Sequence, residues 1–210
     1  MKIAFTGTSG TGKTTLATHI SETWGLPFLA NTAREVMKEL GVANEEAQLK
    51  MSEEELLVLQ LTIYDRIKAK RDAAESFVSD RCLLDNYVYA LRRCGKALTE
   101  DKRKELEYGV IDDLYKMDLV FYTPGGLIPL ISDGVRLMDS AHNHLIDAAI
   151  YGLLCRHGFD KQAGHIYVIN MSDRKRREHY VDALVSALYV SETTTEEGRL
   201  PHRLHDLPAS

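Results

Sequence analysis

Eight residues near the start of the chain carry the clearest chemical signal: Gly7-Thr8-Ser9-Gly10-Thr11-Gly12-Lys13-Thr14, which fits the spacing G-x-x-x-x-G-K-[ST]. The glycines let successive backbone N–H groups turn inward around a phosphate chain, because no Cβ stands in the way. Lys13 then reaches the β- and γ-phosphates, and the Thr14 hydroxyl takes one Mg2+ position. The helix that follows aims its positive end at the anion. The chemistry is that of nucleoside-triphosphate binding, with Gly7, Thr8, Ser9, Gly10, Thr11, Gly12, Lys13, Thr14 and Thr15 as the binding loop.

Three further sets of polar residues could act on a bound phosphate. Asp80-Arg81 follows a short apolar run. Asp80 can hold Mg2+ through water or accept a proton, and Arg81 can hold an anionic substrate or the transferring phosphoryl group. The same pair could instead cap the next helix as an ion pair. Arg34 sits in the first turn of a helix after a strand, where it is either a substrate clamp or a solvated charge. Asp133-Gly134-Val135-Arg136 lies in an irregular stretch suited to a closing lid. Arg136 would there neutralise charge developing in transfer, and an ordinary surface turn is the alternative.

Other clusters carry less. Asp173-Arg174-Lys175-Arg176-Arg177 opens the last helix, where cations are unfavourable; it signals a nearby anionic or aromatic ligand, or else a solvated basic face. His142 and His144 are two apart on a helix and point to different sides, so they share no ligand face. No metal ligand is assigned beyond Thr14 and Asp80 toward Mg2+. Tyr87, Tyr89, Tyr108 and Tyr115 read as packing residues, with one of them available to stack on a base.

The elements that must position these groups alternate between strand and helix. Apolar runs at Lys2–Thr6, Phe28–Ala30, Phe77–Ser79, Leu119–Tyr122 and His165–Asn170 predict five strands. Helices are predicted from Lys13 to about Trp24, Thr32 to Leu40, Ser52 to about Ala74 and Leu83 to Cys94. Three more run from Glu100 to about Lys116, Ser140 to about His157 and Ser172 to about Val190. Thr32/Glu35 and Ser52/Glu55 have capping-box spacing, and Ser172 is the expected cap of the last helix. The pattern predicts an α/β fold, a parallel five-stranded sheet between two helical layers, with ligands at the carboxyl ends of the strands. Residues 1–190 form the expected domain, with a small lid at about 124–157, and 191–210 a polar tail.

Composition bounds the alternatives. The 210 residues are 44% hydrophobic and 27% charged, as in an ordinary globular domain, and 26 basic against 31 acidic side chains give a net charge of −5. No global field draws the chain to nucleic acid or an anionic membrane. Cys82, Cys94 and Cys155 have no zinc-ligand spacing and fit reduced thiols. The absence of a signal-like or membrane-spanning run makes a cytoplasmic protein with no membrane partner the expectation.

Gly-Thr-Ser-Gly-Thr-Gly-Lys-Thr-Thr, Ser79-Asp80-Arg81 and Asp133-Gly134-Val135-Arg136 together resemble the nucleoside and nucleotide kinases of the phosphate-loop superfamily. The likeness extends in particular to the nicotinamide-riboside-kinase-like branch of small ATPases, which includes phage-encoded relatives. The resemblance implies ATP and Mg2+ as cofactors, Gly12, Lys13 and Thr14 at the triphosphate, Asp80 and Arg81 toward the acceptor, and Arg136 in the lid. The implied activity is transfer of the γ-phosphoryl group of ATP to a nucleoside or nucleoside monophosphate, a small-molecule substrate. A hydroxyl acceptor calls for a carboxylate such as Asp80, a monophosphate for cations such as Arg34 and Arg81, and both kinds of group are present. Two other readings stay open. One is a kinase acting on a hydroxymethylated pyrimidine within DNA, which the acidic total disfavours; the other is an ATPase switch with a protein partner. A homodimer is compatible with the sequence.

Overall fold

The computed structural model describes residues 1–29, 32–129, 140–157 and 165–196. Five apolar runs pair into one parallel sheet: β1 (Lys2–Thr6), β2 (Phe28–Leu29), β3 (Phe77–Ser79), β4 (Leu119–Tyr122) and β5 (Ile166–Val168), in the order β2-β3-β1-β4-β5. Strand β1 lies at the centre, with Ile3 opposite both Val78 and Leu119 and Ala4 opposite Ser79 and Val120. Its Ile3-Ala4-Phe5 run is apolar on both faces because both faces are covered, as parallel sheets require.

Between the strands lie α1 (Lys13–Trp24), α2 (Thr32–Glu39), α3 (Glu45–Gln48), α4 (Glu53–Ala73), α5 (Leu83–Arg93), α6 (Glu100–Tyr115), α7 (Ser140–Arg156) and α8 (Arg174–Glu196), with a 3₁₀ turn at Gly95–Ala97. Alternate strand residues divide the core in two. Ile3, Phe5, Val78 and Phe121 meet Leu16 and Ile20 of α1 and Val181 and Val185 of α8. Ala4, Phe77, Val120 and Tyr122 face the other way, toward Val36 of α2, Ile63 of α4, Leu84 of α5, Leu114 of α6 and Ile150 of α7. The three-layer arrangement expected from the strand–helix alternation is therefore present. Among the described residues no helix is long and apolar enough to cross a membrane.

Local chemistry explains most of the helix starts. The Ser52 hydroxyl accepts from the Glu55 N–H at 3.2 Å while Glu55 Oε2 accepts from the Ser52 N–H at 2.8 Å, the capping box expected for α4. Two expected caps are corrected. Thr32 is the first helical residue of α2 and is buried, so it does not precede the helix as a cap. The last helix is capped by Asp173, whose Oδ1 accepts from the Arg176 N–H at 2.8 Å, in place of Ser172. A carboxylate suits that position because its charge also complements the helix dipole. Helix α8 continues to Glu196, beyond its expected end near Val190.

Candidate active site

The turn from β1 into α1 is built on positive backbone angles: φ is 137° at Gly7, 77° at Gly10 and 79° at Gly12. At Gly7 the conformation coincides with close approach, since a Cβ would stand 2.3 Å from the Thr123 carbonyl oxygen. At Gly12 a Cβ would stand 2.8 Å from Nη1 of Arg177, which lies against the loop. These two positions admit no side chain without displacing a neighbour.

The loop is fastened from several elements. The Gly7 N–H donates to Asp85 Oδ1 at 3.2 Å, the Thr8 hydroxyl donates to Asn143 Oδ1 at 2.9 Å, and the Thr11 hydroxyl lies 2.8 Å from that of Thr123. The Ser9 hydroxyl is 3.3 Å from the Tyr89 hydroxyl. Lys13 is buried and folds back on its own loop, donating to the Thr8 carbonyl at 2.5 Å and to Thr11 Oγ1 at 3.2 Å. The Thr14 hydroxyl donates to Asp80 Oδ2 at 2.7 Å, so the two oxygens expected to share Mg2+ are brought together by the adjacency of β1 and β3.

Asp80 and Arg81 stand at the carboxyl end of β3, and their corner is held from below. The Arg81 carbonyl accepts from Ser79 Oγ at 2.6 Å and from Nη1 of Arg71 at 3.0 Å. Arg71 is itself a buried partner of Asp113, Nε to Oδ1 2.9 Å. Arg81 reaches Asp85 Oδ1 at 3.2 Å and Ser9 Oγ at 3.4 Å. Burial works against the Arg81 charge, yet Tyr89, Asp85 and Asp80 hold the guanidinium above its ordinary range.

These groups open onto one cavity of about 730 Å³, within the size range of small-molecule sites. Ser9 to Thr15, Asp80, Arg81 and Arg34 all line it, with Arg34 exposed. Gly7 and Thr8 do not; they are turned toward Asp85 and Asn143 as struts of the loop. Arg136 and the Asp133-Gly134-Val135 turn lie outside the described residues. Away from the loop the wall becomes apolar, with Leu29, Met37, Ile63 and Ile67, and carries an amide pair in which Asn86 Nδ2 donates to Gln60 Oε1 at 2.8 Å. Nearby, Arg93 lies over the Tyr89 ring, 4.7 Å from its centroid, and donates to Gln48 Oε1. Among the described lining residues eight are basic and two, Asp80 and Asp85, are acidic. On a chain of net charge −5, that concentration of cations marks a site for anions.

Several of these residues escape the sequence reading. Asp85, Thr123 and Asn143 hold the loop, and Gln60 and Asn86 line the cavity wall. Of the basic run at 174–177, read as a sign of an anionic or aromatic ligand or a solvated face, Arg177 is the member that reaches the Thr11 carbonyl, at 2.7 Å. The one usable signal for Asp85 is its place in the first turn of α5, where a carboxylate can reach back to the N–H that precedes the helix, as its Oδ2 does to Cys82 at 3.0 Å. Among the described residues no three His, Cys, Asp or Glu side chains gather as a metal site. Thr14 and Asp80 nonetheless offer the hard oxygens that Mg2+ takes, since that ion uses few protein ligands beside phosphate and water.

Comparison with known proteins agrees with this fold. A family model described as an AAA domain matches residues 2–163. No curated protein matches the chain. Among solved structures, the NadR protein in complex with NAD and AMP-PNP is 19% identical with a TM-score of 0.64, over 95% of this chain and 51% of that one. The chain thus spans about half the length of the NadR structures it matches. Deoxyadenosine kinase from M. mycoides with the products dCMP and dCDP is 17% identical with a TM-score of 0.65, over 90% of this chain and all of that one. The YorR protein from Bacillus subtilis is 15% identical with a TM-score of 0.56, over 92% of this chain and 98% of its own. At these identities the likeness is one of fold.

Proposed function

The chain belongs to the AAA domain family, and from that premise and the geometry of the site we propose that it is an ATP-dependent phosphotransferase. Its acceptor in this reading is a nucleoside or a (deoxy)nucleoside monophosphate. The observation that carries the proposal is the continuity of the cavity. A phosphate loop and an apolar, amide-bearing wall line a single space together with Asp80 and Arg81.

Each group then has a task. The backbone N–H groups from Ser9 to Thr15 cradle the triphosphate, and Lys13 exchanges the Thr8 carbonyl for phosphate oxygen. Thr14 and Asp80 would hold Mg2+, which supplies charge neutralisation at the β- and γ-phosphates. In transfer, an acceptor oxygen forms a bond to the γ-phosphorus as the bond to the bridging oxygen breaks, leaving a nucleoside diphosphate. If the acceptor is a hydroxyl, its proton passes to a carboxylate. Asp80 suits that role better than Asp85, which already accepts from the Gly7 and Cys82 N–H groups and from Arg81. If it is a monophosphate, Arg81 and Arg34 supply the countercharge. The Gln60–Asn86 bond uses one donor and one lone pair, which leaves amide donors and a carbonyl for the edge of a base. Arg136 is assigned to a lid over the phosphates.

The test is ATP consumption measured against deoxynucleosides, their monophosphates, nicotinamide riboside and oligonucleotides. Turnover should depend on one class of small acceptor. Turnover independent of every acceptor would refute a kinase, and turnover on oligonucleotides alone would move the acceptor to nucleic acid.

A further inference from the structure

Helix α8 opens with four consecutive basic residues, and the structure sorts them. Arg174 pairs with Glu178 at 2.7 Å, while Arg174, Lys175 and Arg176 are exposed. Arg177 turns inward instead, is only 4% exposed, and lies on the phosphate loop at the cavity wall. Its Nη2 donates to the Thr11 carbonyl at 2.7 Å, and its Nη1 occupies the space that a side chain at position 12 would need. Its Nε is buried with no hydrogen-bond partner, and among the described residues no carboxylate pairs with it.

A buried guanidinium held by one neutral carbonyl is a poor arrangement for the protein alone. Burial disfavours the charge, and one carbonyl uses one of five donors. The helix N-terminus adds a positive field that opposes it further. An anion on the loop would reverse the balance, because a planar fork of donors matches phosphate oxygens two at a time.

We propose that Arg177 is a phosphate-binding residue of the donor site, with α8 supplying a second cation to the loop beside Lys13. Nucleotide binding brings phosphate oxygens to a guanidinium that otherwise lacks an anionic partner, and so ties α8 to the occupancy of the loop. This rests on the reading of residues 7–15 as a nucleoside-triphosphate site.

The test measures binding of a fluorescent ATP analogue and of ADP with Mg2+ to the full chain, and the melting temperature of each nucleotide-free variant. Arg177→Met keeps the stem and removes the charge. It should weaken both nucleotides by about tenfold or more, as loss of a charged hydrogen bond does. Its nucleotide-free melting temperature should equal or exceed that of the wild type, because an unmatched buried charge is gone. Arg177→Lys keeps a point charge without the fork and should lose affinity to a smaller extent. Unchanged affinity in either variant would overturn the proposal. So would a fall in melting temperature or failure to fold in Arg177→Met, which would make the residue a brace for the loop. The underlying reading fails differently: the wild type would then bind no nucleotide, and Lys13→Ala would match it.

Discussion

Lys13 rests its ammonium on the Thr8 carbonyl and the Thr11 hydroxyl, so an incoming triphosphate competes with these loop oxygens. Lys13→Ala removes the cation without disturbing Gly10 or Gly12, and the turn should survive. Acceptor-dependent ATP turnover is expected to fall by roughly 10²-fold or more, as on loss of a charge aimed at the transferring group. Steady-state rates beside a circular dichroism spectrum of the folded variant check this, and retention of full turnover would remove Lys13 from the site. Lys13, Thr14 and Asp80 were legible in the sequence because the motif and the ends of β1 and β3 place them. Asp85 and Asn143 were not: their loop partners lie 78 and 135 residues away, beyond any local pattern. Arg177 was legible only as one of a basic run, since its loop partner lies 166 residues away. Tyr89 shows the intermediate case, a packing tyrosine by spacing whose ring also lies under Arg93 at the cavity wall.

At the scale of elements, the phosphate loop and the end of β4 are packed backbone to backbone. The Thr123 N–H donates to the Thr6 carbonyl at 2.9 Å, and the Thr123 carbonyl lies where a Cβ on Gly7 would fall. Gly7→Ala therefore meets both an unfavourable φ of 137° and a backbone atom that cannot rotate away. A cost of about 2 kcal/mol or more is expected, together with loss of nucleotide binding. Urea unfolding beside a nucleotide titration measures both, and wild-type values would show that the β1–α1 turn tolerates a side chain. Most elements followed from periodicity and caps, and the departures have local causes. Ser172 and Asp173 offer oxygens at adjacent positions, and the charged one took the cap of α8. Helix α3 is too short, at four residues, to show a period. Helix α8 passes through Thr193-Thr194-Thr195 because those residues weaken a helix without stopping it, and the first glycine and proline come only at Gly198 and Pro201.

For the whole molecule, the order β2-β3-β1-β4-β5 puts β1 at the centre, and Asp80 after β3, Thr123 after β4 and Arg177 after β5 all reach residues 11–14. The site's place at the carboxyl ends of the strands was legible in the sequence, since alternating strands and helices leave few topologies. The gathering of basic side chains in one cavity of an acidic chain was not, because composition averages over the surface. On the proposed reading, the nucleotide would be a structural partner that joins α1, the corner after β3 and, through Arg177, α8. A ligand that binds only the folded state stabilises it by RT ln(1 + [L]/Kd), about 2.7 kcal/mol at a concentration one hundred times Kd. For a domain of this size that corresponds to a rise of roughly 5–11 °C in melting temperature. Mg2+ with a non-hydrolysable ATP analogue should produce that rise in the wild type. It should produce little in Lys13→Ala, and less when Mg2+ is removed by chelation, because Thr14 and Asp80 then lose the ion they would share with the phosphates. An equal rise in all three samples would mean that the nucleotide binds away from the loop.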